Sequence, residues 1–134
     1  EISLKWPNDI IFTGKKLGGI LCENLGHYSI SGVGLNITNK VLSPNSITLT
    51  SKAVRFSYSL FLSSFLSNFE NLFVESSDEI ISKFEHFDTL IGQEVFWEKN
   101  QGIAQSIAKD GSLVVQTSNQ IFNLHAEEVH LEKK

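Results

Sequence analysis

Methionine is absent from this chain, and cysteine and arginine occur once each, at Cys22 and Arg55. Without methionine, Glu1 is not a translational start, and the 134 residues are expected to be a piece of a longer protein. A single cysteine excludes an intrachain disulfide, which fits a reducing compartment and an expected cytoplasmic location. One arginine leaves little means for planar, bidentate phosphate recognition. That task falls to lysine and backbone here, or to arginines elsewhere. No apolar run approaches the roughly 18 residues of a membrane-spanning helix. The opening EISLKW has neither a charged leader before an apolar segment nor a cleavage-like end, so no targeting signal is read there. A net charge of −4 argues against a general nucleic-acid surface. Neither a membrane nor nucleic acid is therefore expected as a partner of these residues.

What is present is the composition of a globular protein, 41% apolar and 19% charged, with room for one ordinary domain or one domain plus a small module. From Ile2 to Phe12 the pattern is a strand broken at Pro7, because proline removes a ladder donor. FTGKK at 12–16 reads as a turn, LGGILCE at 17–23 as a buried strand, and HYSISGVGLNI at 27–37 as a third strand. Short connections make these an antiparallel meander. Residues 39–44 read as loop.

Tyr58, Leu62, Phe65, Phe69 and Leu72 then step by four and three, predicting a helix over 51–73 whose apolar face packs on the sheet. A second short helix is expected over 77–87, capped by Ser77 or Asp78 with Glu79 in its first turn. From Leu90 the texture changes to five short β-like runs, with KDG at 109–111 and SN at 118–119 as turn signals. The fold class expected is α+β, a mixed or antiparallel sheet with packed helices followed by a small SH3-like β-barrel, divided at 1–87 and 88–134.

Several motifs fail as sites. GVGLN lacks the third glycine and the helix of a dinucleotide fingerprint. His27, His86, His125 and His130 show no metal-like spacing with one another, with Cys22 or with a carboxylate motif, and no metal ligand is assigned. Cys22 reads as a small buried side chain. The segment KWPND at 5–9 with KKLGGILCE at 15–23 is different. Lys16 precedes a strand whose Gly18 and Gly19 leave backbone accessible, a place where a compact positive charge can steady an anionic ligand lying flat. Asn8 and Asp9 look into the same mouth. Solvated turn lysines beside an ordinary PND turn are the bland alternative for each piece alone.

In order and spacing, LKWPNDI, KKLGGILCE and ISGVGLNIT closely resemble the catalytic domain of biotin protein ligases, and the residues after 88 resemble the small C-terminal barrel of the bacterial enzymes. The resemblance implies an ATP-dependent ligase that makes biotinyl-5′-AMP from biotin and ATP with Mg²⁺. It then transfers biotin to one lysine of a biotin carboxyl carrier protein of acetyl-CoA carboxylase. It implies Lys16, Asp9 and Asn8 as catalytic residues, with Lys16 meeting the biotin carboxylate and the α-phosphate. Gly19, Ile20, Leu21 and Gly32 would line the biotin slot beside Lys16. Asn8, Lys16, Leu35 and Asn36 would serve the nucleotide. Asp9 is left with three roles: taking a proton from the incoming amine, holding Lys16, or holding a metal.

The family's glycine- and arginine-rich loop lies upstream of KWPND and is not among these residues, so the isolated chain is expected to be inactive. Some bacterial members set an arginine near the C-terminus against the nucleotide; HLEKK stands here instead. A homodimer is compatible with the resemblance. The rival readings are a lipoate–protein ligase relative and a non-enzymatic adaptor whose barrel binds peptides through Phe96, Trp97 and Phe122.

Overall fold

In the computed structural model, residues 1–38, 43–50, 55–125 and 129–131 are described. The chain divides into two compact units, one of residues 1–3 and 8–75, the other of residues 4–7 and 76–134. In the first unit, β2 (Asp9–Phe12), β3 (Lys15–Leu25) and β4 (Tyr28–Leu35) pair in sequence, and β1 (Ile2–Lys5), of which Ile2 and Ser3 belong to this unit, completes the order β1-β2-β3-β4. Thr13 and Gly14 connect β2 to β3 with φ of 49° and 76°. A two-residue hairpin that follows strand twist needs left-handed backbone at both positions, which glycine supplies at least cost.

The β2–β3 pairing contains a bulge. Ile10 stands opposite Gly18 and Ile11 opposite Lys16, which leaves Leu17 as the extra residue. Leu17 turns into a small core with Ile47 and Leu49, packed by Ile10, Phe12, Leu35, Ile37 and Phe56. Residues 45–50 run beside the sheet to cover that core. Lys16 N–H donates to the Asn45 carbonyl at 2.8 Å, Ile47 N–H to the Lys16 carbonyl at 3.0 Å, and Leu49 N–H to the Asn36 carbonyl at 3.0 Å.

Three expectations are corrected in this unit. The strand LGGILCE is buried only at Leu17 and Gly18; from Ile20 onward it is exposed, and so is Cys22, whose Sγ lies 3.2 Å from Ser31 Oγ. The reason is length: β2 pairs with β3 only as far as Gly19, so beyond it β3 and β4 form a two-stranded ribbon. Of the helix expected over 51–73, residues 51–54 lie outside the described ones; Arg55–Ser57 are not helical, and α1 spans Tyr58–Leu72. Its apolar face is not packed on the sheet. No residue of α1 is buried, and Tyr58 is 64% exposed. The period sets which residues share a face, not whether a partner covers it. Here Phe61, Phe65 and Phe69 stack on one another one turn apart, with ring centroids 6.0 and 5.8 Å apart.

The second unit holds α2 (Ser77–Phe87) and a four-stranded antiparallel sheet, β5 (Glu94–Trp97), β6 (Asn100–Ile107), β7 (Leu113–Gln116) and β8 (Ile121–Leu124), in sequence order. The cap of α2 is Ser76 rather than Ser77 or Asp78. Ser76 Oγ accepts from Glu79 N–H while the Glu79 carboxylate accepts from Ser76 N–H, a reciprocal capping box. Helix α2 lies in this unit, upstream of the change in texture near Leu90. Phe84 packs on its core, and Glu85 Oε1 accepts from Ile107 N–H at 2.6 Å. Of the fifth β-like run, EVHL at 128–131, Glu128 lies outside the described residues, and His130 makes a single antiparallel bridge to Phe96. The described pairings thus give an open four-stranded sheet with one added bridge rather than a closed barrel. Trp97 is buried and meets Phe122 edge to face at 5.4 Å, so these aromatics fill a core instead of lining a peptide groove.

That core also contains a residue from far upstream. Trp6 is 4% exposed and clusters with Leu90, Val95, Trp97, Leu113 and Val115. Its backbone N–H donates to Asp88 Oδ2 at 2.8 Å and its indole N–H to the Gly111 carbonyl at 2.9 Å. The Trp6–Pro7 peptide is cis.

Candidate functional site

The bulge determines which side chains meet. Residues opposite each other in an antiparallel pair share a face, and alternate residues of one strand do too. Asp9 faces Gly19 and Ile11 faces Lys16, so Asp9, Lys16 and Gly19 share one face. Strict alternation along β3 would have put Lys16 with Gly18 instead; Leu17, the extra residue, shifts the phase. Lys16 Nζ lies 2.5 Å from Asp9 Oδ1, with half of the lysine side chain exposed and Asp9 mostly covered. Of the three roles left to Asp9, the geometry displays the holding of Lys16.

Gly19 forms the floor. A Cβ built there would stand 3.2 Å from the Asn8 carbonyl oxygen, 3.6 Å from Asp9 Oδ1 and 3.9 Å from Lys16 Cε. The missing side chain therefore leaves room directly beside the ion pair. The Asn8 carbonyl is committed to Ile20 N–H at 2.9 Å, while its side chain is exposed. Gly18 is glycine for another reason. A Cβ there would lie 2.1 Å from the Gly34 carbonyl oxygen, so β4 could not approach.

Pairing of Leu21 with Gly32 and of Gly19 with Gly34 places Leu21 and Gly32 on the Lys16 face, with nothing but the Leu21 carbonyl oxygen within 4 Å of a Cβ at Gly32. Ile20 pairs with Val33 and projects to the opposite face. Leu35 pairs with Gly18 and packs against the Leu17 core, and Asn36 N–H donates to the Leu17 carbonyl at 2.7 Å. Asp9, Lys16, Gly19, Leu21 and Gly32 are thus brought to one side, with the Asn8 carbonyl beside Gly19, whereas the side chains of Ile20 and Leu35 are not. Glu132, Lys133 and Lys134 lie outside the described residues.

Lys15 is placed apart from its neighbour. It pairs with Phe12, and its Nζ donates to the Pro44 carbonyl at 3.1 Å. Sequence reasoning missed Trp6 and Asp88, which together tie residues 4–7 to the second unit. A bulky indole within a polar motif was the only available signal. No group of three or more His, Cys, Asp or Glu side chains able to hold a metal lies together among the described residues.

A cation and a carboxylate thus lie beside a glycine floor, on an antiparallel sheet. Residues 1–36 match the family described as Biotin/lipoate A/B protein ligase. Over nearly its whole length the chain is similar to biotin protein ligases and has their fold. It is 26% identical to the biotin protein ligase of Aquifex aeolicus, with a TM-score of 0.84 over 98% of this chain and 65% of that one. The A. aeolicus ligase in complex with biotin and ATP, at 22% identity and a TM-score of 0.78, has the same fold. Among curated proteins, 38 residues are 53% identical to the biotin–[acetyl-CoA-carboxylase] ligase of Mycobacterium tuberculosis, covering 28% of this chain and 14% of that protein. The chloroplastic biotin–protein ligase 1 of Arabidopsis thaliana is 28% identical over 95% of this chain and 40% of its own length. The chain therefore spans less than half the length of these curated relatives.

Proposed function

We propose that this chain is part of an ATP-dependent biotin–protein ligase and carries the cationic side of its adenylation site. The observation that supports this best is Lys16, held by Asp9 above the Gly19 floor. In the first half-reaction a biotin carboxylate oxygen attacks the α-phosphorus of ATP, the bond to pyrophosphate breaks, and biotinyl-5′-AMP forms. Attack of one anion on another is opposed electrostatically, and a preorganised ammonium offsets that opposition where charge accumulates. Lys16 supplies the ammonium, Asp9 keeps it oriented, and the exposed Asn8 amide donates to an acyl or phosphate oxygen. Gly19, Leu21 and Gly32 give the flat biotin a surface. Ile20 contributes its backbone, and Leu35 and Asn36 the nucleotide side.

In the second half-reaction a carrier lysine amine attacks the acyl carbon, an amide forms, AMP leaves and a proton is released. The carrier is a biotin carboxyl carrier protein of acetyl-CoA carboxylase. Mg²⁺ fits as an ion brought on the nucleotide phosphates, since it commonly takes only one or two protein carboxylates. We place the reaction in the cytoplasm, since a chain whose one cysteine forms no intrachain disulfide fits a reducing compartment.

The test is biotin-dependent ATP–pyrophosphate exchange by the complete protein, followed by transfer of labelled biotin to an apo carrier domain. Exchange that requires lipoate and ignores biotin would move the chain to the lipoate branch of the class. No exchange with either acid would remove the proposal.

A further inference from the structure

We propose that Leu17 is a positioning residue: its burial fixes where the β2–β3 bulge falls, and the place of the bulge sets the Lys16 ammonium beside Asp9. Only the catalytic consequence rests on the adenylation reading of that site; the register does not. All the residues concerned lie in the first unit. In a regular strand successive carbonyls point to opposite edges. Here two in succession point to the same edge, away from β2. The Lys16 carbonyl accepts from Ile47 N–H at 3.0 Å and the Leu17 carbonyl from Asn36 N–H at 2.7 Å. Lys16 N–H is held on that edge too, by the Asn45 carbonyl at 2.8 Å. Lys16 therefore bridges Ser46 on one side while it stands opposite Ile11 on the other.

The ladder alone does not choose this arrangement. Lys15 stands opposite Phe12 at the turn and Gly18 opposite Ile10 further on, so either Lys16 or Leu17 can be the unpaired residue between them. With Lys16 unpaired, Leu17 would stand opposite Ile11, on the face that carries Asp9 and Gly19, and the ammonium would lose its place there. Two costs oppose that slip. Leu17, 3% exposed, would leave the core it forms with Ile47 and Leu49. The bonds of Lys16 to residues 45 and 47 would also have to break. Both costs depend on the Leu17 side chain, because the segment that holds Lys16 is itself seated by burying Ile47 and Leu49 against it. Leu17 faces away from the proposed reacting groups, and its effect passes through the direction of Lys16.

The experiment compares Leu17→Ser and Leu17→Met with Leu49→Ala in the complete protein, each at the same interval below its own melting temperature. Leu49 is buried in the same core but lies outside the bulge. Cross-strand nuclear Overhauser contacts of Ile11 read the register directly, and biotin-dependent ATP–pyrophosphate exchange reads its consequence. In Leu17→Ser the contacts of Ile11 should pass from residue 16 to residue 17, and exchange should fall by about a hundredfold. Leu17→Met, which conserves volume and apolar character, should keep both, and Leu49→Ala should keep residue 16 opposite Ile11. Ile11 still opposite Lys16 in Leu17→Ser, or displaced equally in Leu49→Ala, overturns the proposal whatever the activity does. A displaced register with undiminished exchange overturns the positioning role. If Leu17→Ser does not fold, the wild-type protein decides: the Ile47 and Asn36 amides should exchange with solvent no faster than the Ile20 amide of the ladder, and faster exchange overturns the proposal. A displaced register in Leu17→Ser, where the wild-type protein adenylates neither biotin nor lipoate, supports the role of Leu17 in the register and removes the functional reading instead.

Discussion

Replacing Lys16 by alanine should abolish most adenylate formation in the complete protein, while Lys15→Ala leaves it nearly intact. Lys16 Nζ sits 2.5 Å from Asp9 Oδ1 with half of its side chain exposed. An ion pair that open contributes at most about 1 kcal/mol to stability, so the Lys16→Ala protein should remain folded. Its effect on rate has another origin. Loss of one preorganised donor at a centre of developing charge costs about 3 kcal/mol, roughly a hundredfold or more in rate. Lys15 Nζ reaches only the Pro44 carbonyl, at 3.1 Å on the surface, and its loss should cost less than about 1 kcal/mol. Lys16→Arg should also fail. A planar fork cannot take the place of a compact ammonium whose Cε already lies 3.9 Å from the Gly19 Cβ position. The assay is biotin-dependent ATP–pyrophosphate exchange, with thermal melting as the control for folding. Equal losses from both alanine variants, or a fully active Lys16→Ala, would falsify the assignment and return KKLGG to being a turn.

Gly18→Ala should disrupt the first unit, since its Cβ would overlap the Gly34 carbonyl oxygen at 2.1 Å, whereas Gly32→Ala should keep the fold; circular dichroism melts of both variants check this. The 134 residues alone should not hold biotin with sub-micromolar affinity in calorimetry, because Leu21 stands 62% exposed and small-ligand sites generally bury most of their ligand. The Glu79 carboxyl is held below its ordinary value by the Ser76 backbone N–H and then by the Ser76 hydroxyl. Its folded value lies below its unfolded one, so its contribution is complete above the ordinary glutamate range and is lost as pH falls through the folded value. Ser76→Ala should therefore lower the melting temperature more at pH near 7 than at about 3. Equal shifts at the two pH values would count against the capping box.

Local chemistry was legible in the amino-acid sequence because it depends on near neighbours. Pro7 ends a strand, Thr13-Gly14 turns it, and KDG and SN lie between strands of the second sheet. Motif order and spacing singled out Asp9 and Lys16, whose side chains lie together in the structure. What the sequence could not convey depends on partners distant along the chain. The period of Tyr58, Leu62, Phe65, Phe69 and Leu72 established a shared helix face but not a covering layer, and that face stands open. The run LGGILCE at 17–23 suggested a buried strand, yet burial needs a neighbouring layer, and the pairing with β2 reaches only to Gly19. Only the register revealed that one bulged residue, Leu17, turns Lys16 toward Asp9 and Gly19 while Ile20 points away. Nor does any local pattern state that Trp6 belongs to a core assembled from residues 90–129, since that is decided by which distant surfaces exclude water together.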